Sequence, residues 1–154
     1  MSTLPGTSDS QTGLADASCS GRPRPLILTV DDEPCISRVV QLKLQNADFE
    51  VVRAASGTEG LSKFIALRPD VLITDVRMPG MSGIDLCTRC EEYKGAWPFL
   101  IIVLTSQLDE ETQLWLEQDR NRKYLQKPFS PREVLRVVRE YLAEREAETR
   151  KGTT

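Results

Sequence analysis

Five residues of this 154-residue chain are of the types that could do chemistry together: Asp31, Asp32, Asp75, Thr105 and Lys127. Asp31, Asp75 and Thr105 each close an apolar run, LILTV (26–30), VLIT (71–74) and FLIIVL (99–104), and Lys127 follows YLQ (124–126). Three carboxylates drawn together repel one another and each costs desolvation energy, so such a group needs compensating positive charge. Lys127 supplies one charge and a divalent cation would supply the rest. The donors are oxygen atoms, which suits the hard ion Mg²⁺, a metal that takes one or two carboxylates and keeps waters for substrate oxygens. Mg²⁺ beside a lysine points to phosphate. The chain has no histidine, which excludes Ser-His-Asp and Cys-His catalysis and any His-ligated zinc.

The elements that must gather these residues read as strand and helix in alternation. After the strand LILTV, Asp31-Asp32-Glu33-Pro34 suits a helix start, and Ile36, Val39, Val40 and Leu44 recur at helical spacing to about Asn46. Phe49 to Val52 reads as a second strand. Ser56-Gly57 opens a second helix carrying Leu61, Phe64, Ile65 and Leu67, stopped before Pro69. Val71 to Thr74 forms the third strand and a third helix runs from about Ile84 to Tyr93. Residues 99–105 form the most apolar strand, expected in the sheet interior with helices on both sides. A fourth helix is predicted from about Asp109 to Gln118, with Leu114 and Leu116 toward the core, and a short strand over Tyr124 to Gln126. Ser130-Pro131-Arg132-Glu133 has the pattern of a capping box with proline at the first helical position. The helix it opens, to about Arg145, buries Val134, Val137, Val138, Tyr141 and Leu142. Five such βα units imply an α/β fold with a five-stranded parallel sheet and right-handed crossovers. Functional groups in such sheets collect at the carboxyl ends of the strands, which brings the five residues to one edge.

The chain's composition agrees with a soluble domain acting on a small ligand or another protein. With 40% hydrophobic and 28% charged residues it can bury a core of its own, and a net charge of −3 without a basic block argues against direct binding of nucleic acid or anionic lipid. No stretch approaches the roughly 18 apolar residues of a membrane span, and no signal-peptide pattern is present, so the cytoplasm is the expected compartment. Residues 1–24, rich in Ser, Thr and Gly, read as a flexible tail. The domain spans 25–144, and 145–154 reads as a charged C-terminal tail. Cys19, Cys35, Cys87 and Cys90 read as free thiols; Cys87-Thr88-Arg89-Cys90 has C-x-x-C spacing but lies within a predicted helix and continues its apolar face.

Four motifs together, VDDEP (30–34), TDVRMPGMSG (74–83), VLTS (103–106) and YLQKPF (124–129), resemble the receiver domain of two-component response regulators, the CheY-like superfamily, across about residues 25–143. The resemblance implies a doubly wound, flavodoxin-like fold with strand order 2-1-3-4-5. It implies Asp75 as phosphoacceptor, and Mg²⁺ held directly by Asp32, Asp75 and the main-chain carbonyl of Arg77, with Asp31 acting largely through water. Lys127 and Thr105 would contact the phosphoryl group, Tyr124 would move inward as Thr105 moves, and Lys127-Pro128 would be cis. The implied donor is a sensor histidine kinase or histidine phosphotransfer protein, since this chain has no histidine of its own. Output would pass to a downstream protein target, or through a phosphorylation-linked homodimer, by way of helix four, strand five and helix five. In that reading the chain is a lone receiver or the receiver portion of a longer protein, an enzyme only toward its own phosphoryl group.

Two other functions fit parts of the pattern: a phosphorylation-independent pseudo-receiver that serves as an interaction module, and an aspartate-nucleophile phosphatase. The second class places another acid two residues after its nucleophile, where this chain has Arg77. Arg77 is expected instead to alter the lifetime of the acyl phosphate. Trp115 falls where the family usually has a polar residue; it is either an exposed anchor on the output face or folded back onto local packing. Asp119-Arg120-Asn121 stands in place of an Ala-Gly-Ala turn, so the fourth helix ends either on a left-handed Asn121 or in some other way.

Overall fold

The computed structural model describes residues 24–93 and 98–152. The expected N-terminal tail, Arg24 excepted, and Cys19 lie outside these residues, as does the side chain of Cys35. Five strands, β1 (Leu26–Val30), β2 (Glu50–Ala54), β3 (Val71–Asp75), β4 (Leu100–Thr105) and β5 (Arg122–Gln126), form one sheet in the order β2-β1-β3-β4-β5, all neighbours parallel. They alternate with α1 (Pro34–Asn46), α2 (Gly57–Leu67), α3 (Gly83–Tyr93), α4 (Glu110–Glu117) and α5 (Pro131–Gly152).

The two-residue period of the strands divides the core into two layers. Ile27, Val71, Ile73, Leu100 and Ile102 face α1 and α5, where Val40, Leu44, Val134, Val138 and Tyr141 cover them. Their sequence neighbours Leu28, Leu72, Ile101 and Val103 face the opposite layer, built on Phe64 of α2, Leu86, Cys87 and Cys90 of α3, and Leu116 of α4. Because both faces are covered, β1, β3 and β4 are buried at every residue, as their unbroken apolar sequences predict. Phe64 and Phe99 meet edge to face with centroids 4.8 Å apart.

Helix ends follow their local chemistry. Ser56 Oγ accepts from Glu59 N–H at 3.2 Å, and Arg68 closes α2 in a left-handed conformation just before Pro69. At α5 the capping box is formed in both directions, with Ser130 Oγ accepting from Glu133 N–H and Glu133 Oε1 from Ser130 N–H.

Some expectations are corrected. The second strand lies at Glu50–Ala54 rather than Phe49–Val52, and β5 begins at Arg122, two residues before the apolar signal starts. α5 continues to Gly152, so residues that charge alone assigns to a tail from 145 onward are helical through that point. Arg145 of this stretch pairs with the buried Asp70, and Glu148 pairs with Arg120. Leu114 is 57% exposed while Leu116 is buried, and Val39 and Ile65 also face outward, leaving narrower apolar faces on their helices than their sequences suggest.

Candidate functional site

The ends of β1, β3, β4 and β5 bring Asp31 and Asp32, Asp75, Thr105 and Lys127 to the carboxyl edge of the sheet. Asp75 is the last residue of β3, opposite Leu104 of β4, and is buried. Beyond it the chain is held by Val76 N–H donating to Leu104 O at 3.0 Å and Gly83 N–H donating to Val76 O at 2.8 Å. Gly83 passes so near the acceptor strand that a Cβ there would stand 1.9 Å from the Asp75 carbonyl oxygen, a separation only glycine permits. Gly80 in the same loop adopts φ +80°, a left-handed conformation that favours glycine.

Asp31 follows β1, is buried, and accepts from Glu33 N–H at 2.8 Å through Oδ1; its Oδ2 is buried with no hydrogen-bond partner. Asp32 is exposed at the rim. One oxygen from each of Asp31, Asp32 and Asp75 lies within 4.8 Å of the others. Lys127, next after β5, directs Nζ to Asp75 Oδ1 at 2.7 Å, and its N–H donates to Thr105 O at 2.7 Å, which ties the two strand ends together. The Lys127-Pro128 peptide is cis, as the resemblance implies.

The electrostatics are those of a site with more negative than positive charge. Burial, opposed by the Glu33 N–H and reinforced by the Asp75 carboxylate, pushes the Asp31 carboxyl up to about 7. Burial works against the charge of Lys127, but Asp75, Asp31 and Glu33 outweigh it and hold the ammonium pKa above its ordinary value. A buried carboxylate oxygen without a donor, among three acids and one lysine, fits a hard cation with oxygen ligands.

Thr105 is buried, and both hydrogen bonds of its hydroxyl are made with Gln107, donating to the carbonyl at 2.8 Å and accepting from the N–H at 3.2 Å. Tyr124 on β5 is 42% exposed. Arg77 is exposed near Asp109, whose carboxyl is held below its ordinary value first by Thr112 hydrogen bonds and then by the Arg77 charge.

The family model for the response regulator receiver domain matches residues 27–139. This chain belongs to that family. A transcriptional regulator of alkaline phosphatase synthesis, PhoP of Bacillus subtilis, is 38% identical over 109 residues, which is 70% of this chain and 44% of that protein. Hybrid signal transduction histidine kinase D of Dictyostelium discoideum is 36% identical over 75% of this chain and 7% of its own length. Among solved structures, the chemotaxis protein CheY4 of Vibrio cholerae superposes with a TM-score of 0.66 at 32% identity, covering 76% of this chain and 98% of its own. A CheY-like receiver domain from Methanospirillum hungatei gives a TM-score of 0.74 at 27% identity, covering 81% and 98%. The chain spans about half the length of the bacterial regulators it matches. One of these, MtrA of Mycolicibacterium smegmatis, is named as DNA-binding, so charge balance alone does not remove nucleic acid from the targets of proteins in this family.

As a receiver domain, the chain acts in two-component signalling, where response regulators take phosphate from histidine kinases and bind Mg²⁺ at an acidic pocket. Among the described residues no helix is long and apolar enough to cross a membrane. The C-x-x-C cysteines are buried free thiols; burial pushes Cys87 well up and Cys90 up to about 12, consistent with packing rather than reactivity. Trp115 takes the local-packing alternative. It is half-buried against the α2–α3 layer, with the Arg122 guanidinium 4.3 Å from its ring centroid. Asn121 is not left-handed; instead Asp119 Oδ1 accepts from Asn121 N–H at 2.8 Å, and α4 ends in a right-handed Gln118.

Sequence reasoning passed over two features. One is the Glu33 N–H, which satisfies half of Asp31. The other is a groove beside Lys127 lined by Val39, Val40, Pro128, Phe129 and Pro131. Outward-facing valine on α1 was the available signal for the groove, but helical spacing alone assigned it to the core.

Proposed function

We propose that this receiver domain accepts a phosphoryl group on Asp75 from a phosphohistidine of a partner protein, and that the acyl phosphate alters the face formed by α4, β5 and α5. The observation that carries this function is a buried carboxylate at a strand end, paired with a lysine at 2.7 Å and crowded by two more acids. Structural ion pairs do not need the extra carboxylates, which cost energy unless a cation and a substrate use them.

In the transfer an oxygen of Asp75 forms the O–P bond as the donor's N–P bond breaks, and the electron pair of that bond stays on the imidazole nitrogen. Lys127 stabilises the transferred oxygens, and the fixed position of Asp75 supplies much of the remaining rate through proximity. Mg²⁺, held directly by Asp32, Asp75 and the Arg77 carbonyl and by Asp31 largely through water, would neutralise charge on the phosphoryl group. The donor is a histidine kinase or phosphotransfer protein, and the apolar groove of α1 and Pro128–Phe129 beside Lys127 suits its contact surface.

For output, the Thr105 hydroxyl exchanges Gln107 for a phosphoryl oxygen, and Tyr124 moves in from its exposed position. A downstream protein or a second copy of the chain reads that face. Incubation with Mg²⁺ and acetyl phosphate tests the proposal by intact mass. A single phosphoryl adduct that is removed by hydroxylamine and prevented by EDTA is expected. No adduct under these conditions would leave a phosphorylation-independent interaction module, and rapid turnover of unrelated phosphoesters would make the chain a phosphatase.

A further inference from the structure

The turn between α4 and β5 is held by a cluster of contacts centred on one arginine. Arg122, at the start of β5, donates through Nη2 to Glu91 Oε1 at 2.7 Å and through Nε to Glu91 Oε2 at 3.2 Å, a two-point grip on a carboxylate of α3. Its Nη1 donates to the Trp115 carbonyl at 2.6 Å, and its guanidinium plane covers the Trp115 ring. The two charged side chains are only 11% and 19% exposed. Around them Asp119 caps Asn121, Asn121 O accepts from Ile101 N–H at 2.9 Å, and Arg122 N–H donates to Asp119 O at 3.1 Å. No glycine loosens this corner.

The other end of α4 is built differently. Its first turn is capped by Asp109, with Thr112 buried. It joins β4 through residues 106–109, where Leu108 packs on the α2–α3 layer while Ser106 and Gln107 are exposed and Gln107 also holds the Thr105 hydroxyl. α4 has eight residues, so its two ends are only two turns apart.

We propose that Glu91 and Arg122 form a latch that makes the carboxyl end of α4 a fixed pivot, so that a change at Thr105 swings the amino-terminal end alone. It rests on Asp75 being the phosphoacceptor. The latch is anchored on Glu91 of α3 and on Arg122 at the start of β5, and it grips α4 through a main-chain carbonyl and the face of an indole. Phosphorylation is then read out at Ser106–Thr112 and on β5, while Gln113–Arg122 keeps its position.

Hydrogen exchange of the full chain, with and without Mg²⁺ and beryllofluoride, tests this, with ¹⁹F NMR reporting adduct formation separately. In the wild type the adduct is expected to change exchange over 106–112 and to leave 113–122 within about twofold. In Glu91→Gln, the adduct is expected to speed exchange over 113–122 as well, by about tenfold, the loss of one charge-assisted hydrogen bond. Arg122→Lys, which keeps charge but loses the fork and the stacking, is expected to do the same to a smaller extent. A purely structural pair would loosen 113–122 equally with and without the adduct, and that result overturns the latch. So does a wild-type adduct that changes both ends of α4 equally, a measurement that needs no variant. An absent ¹⁹F signal overturns the phosphoacceptor assignment, and the latch with it.

Discussion

Among the places in this molecule that pair a cation with a buried or nearly buried carboxylate, two are satisfied to different degrees. At the corner between α4 and β5, Arg122 meets Glu91 one to one, and its Nη1 also donates to the Trp115 carbonyl. At the sheet edge, Lys127 meets Asp75 beside Asp31 and Asp32, one cation against three acids, and a buried oxygen of Asp31 has no donor. The first arrangement is closed and needs nothing further. The second is poised for incoming charge, and burial, with the Asp75 carboxylate adding to it, displaces the Asp31 carboxyl upward. A charge pair that leaves a buried acid oxygen unsatisfied points to a ligand, and one whose carboxylate is gripped at both oxygens points to architecture.

The widest separation of the two regions comes from removing each cation in turn. Lys127→Met is expected to slow phosphoryl transfer by about 10²-fold, the usual scale for losing one preorganised charge at a developing oxyanion. Arg122→Met is expected to change that rate less than about threefold yet lower unfolding free energy by about 2–3 kcal/mol, because Glu91 is left without its partner. Stopped-flow phosphorylation and urea titration measure both effects, and equal effects of the two variants on rate would erase the distinction.

A smaller effect is expected at Gly83, where the acceptor edge depends on close backbone approach. Gly83→Ala sets a methyl group against the Asp75 carbonyl, so the loop must retreat at a cost of about 1–3 kcal/mol, with slower transfer through a displaced Asp75. A variant of unchanged stability and rate would show that the loop does not position the acceptor.

The smallest effect is one of pH. Folded and metal-free, Asp31 keeps its proton up to about pH 7, whereas the unfolded chain releases it near the ordinary value of 3.8. Between these limits the folded state binds more protons, so stability rises on acidification toward pH 4 and is lost as pH climbs through 7. Urea midpoints in EDTA are expected to fall between pH 5 and 8, the Asp31 contribution disappearing in Asp31→Asn. Saturating Mg²⁺, which favours the ionised acid, should flatten the trend. An identical pH dependence in Asp31→Asn would assign it to other groups.

The sheet edge was legible from the sequence because Asp31, Asp75 and Thr105 each end an apolar run, and the strand-end rule brings such residues together without knowledge of any contact. The two-layer core follows from the same runs, whereas the strand order came from the family resemblance. The corner was not legible in the same way. RKYLQ has a single buried residue, so β5 began two residues earlier than its apolar signal, and α4 is too short for its spacing to fix which of Leu114, Trp115 and Leu116 turns inward. The partner that settles Trp115 is Arg122 on β5, itself held by Glu91, 31 residues earlier on α3. The far end of α5 was missed because its charged sequence has no apolar period, although its residues are good helix formers and Arg145 is anchored to Asp70.

The central claim, that the crowded carboxylate at the end of β3 takes the phosphoryl group, is tested most directly by peptide mapping. The chain is phosphorylated with Mg²⁺ and a phosphohistidine donor, and the acyl phosphate is then trapped by borohydride reduction. The account predicts homoserine at position 75 as the sole reduced residue and no reduction in Asp75→Asn. Reduction at another acid in the wild type, or an unmodified chain beside a donor that phosphorylates other receivers, would contradict it.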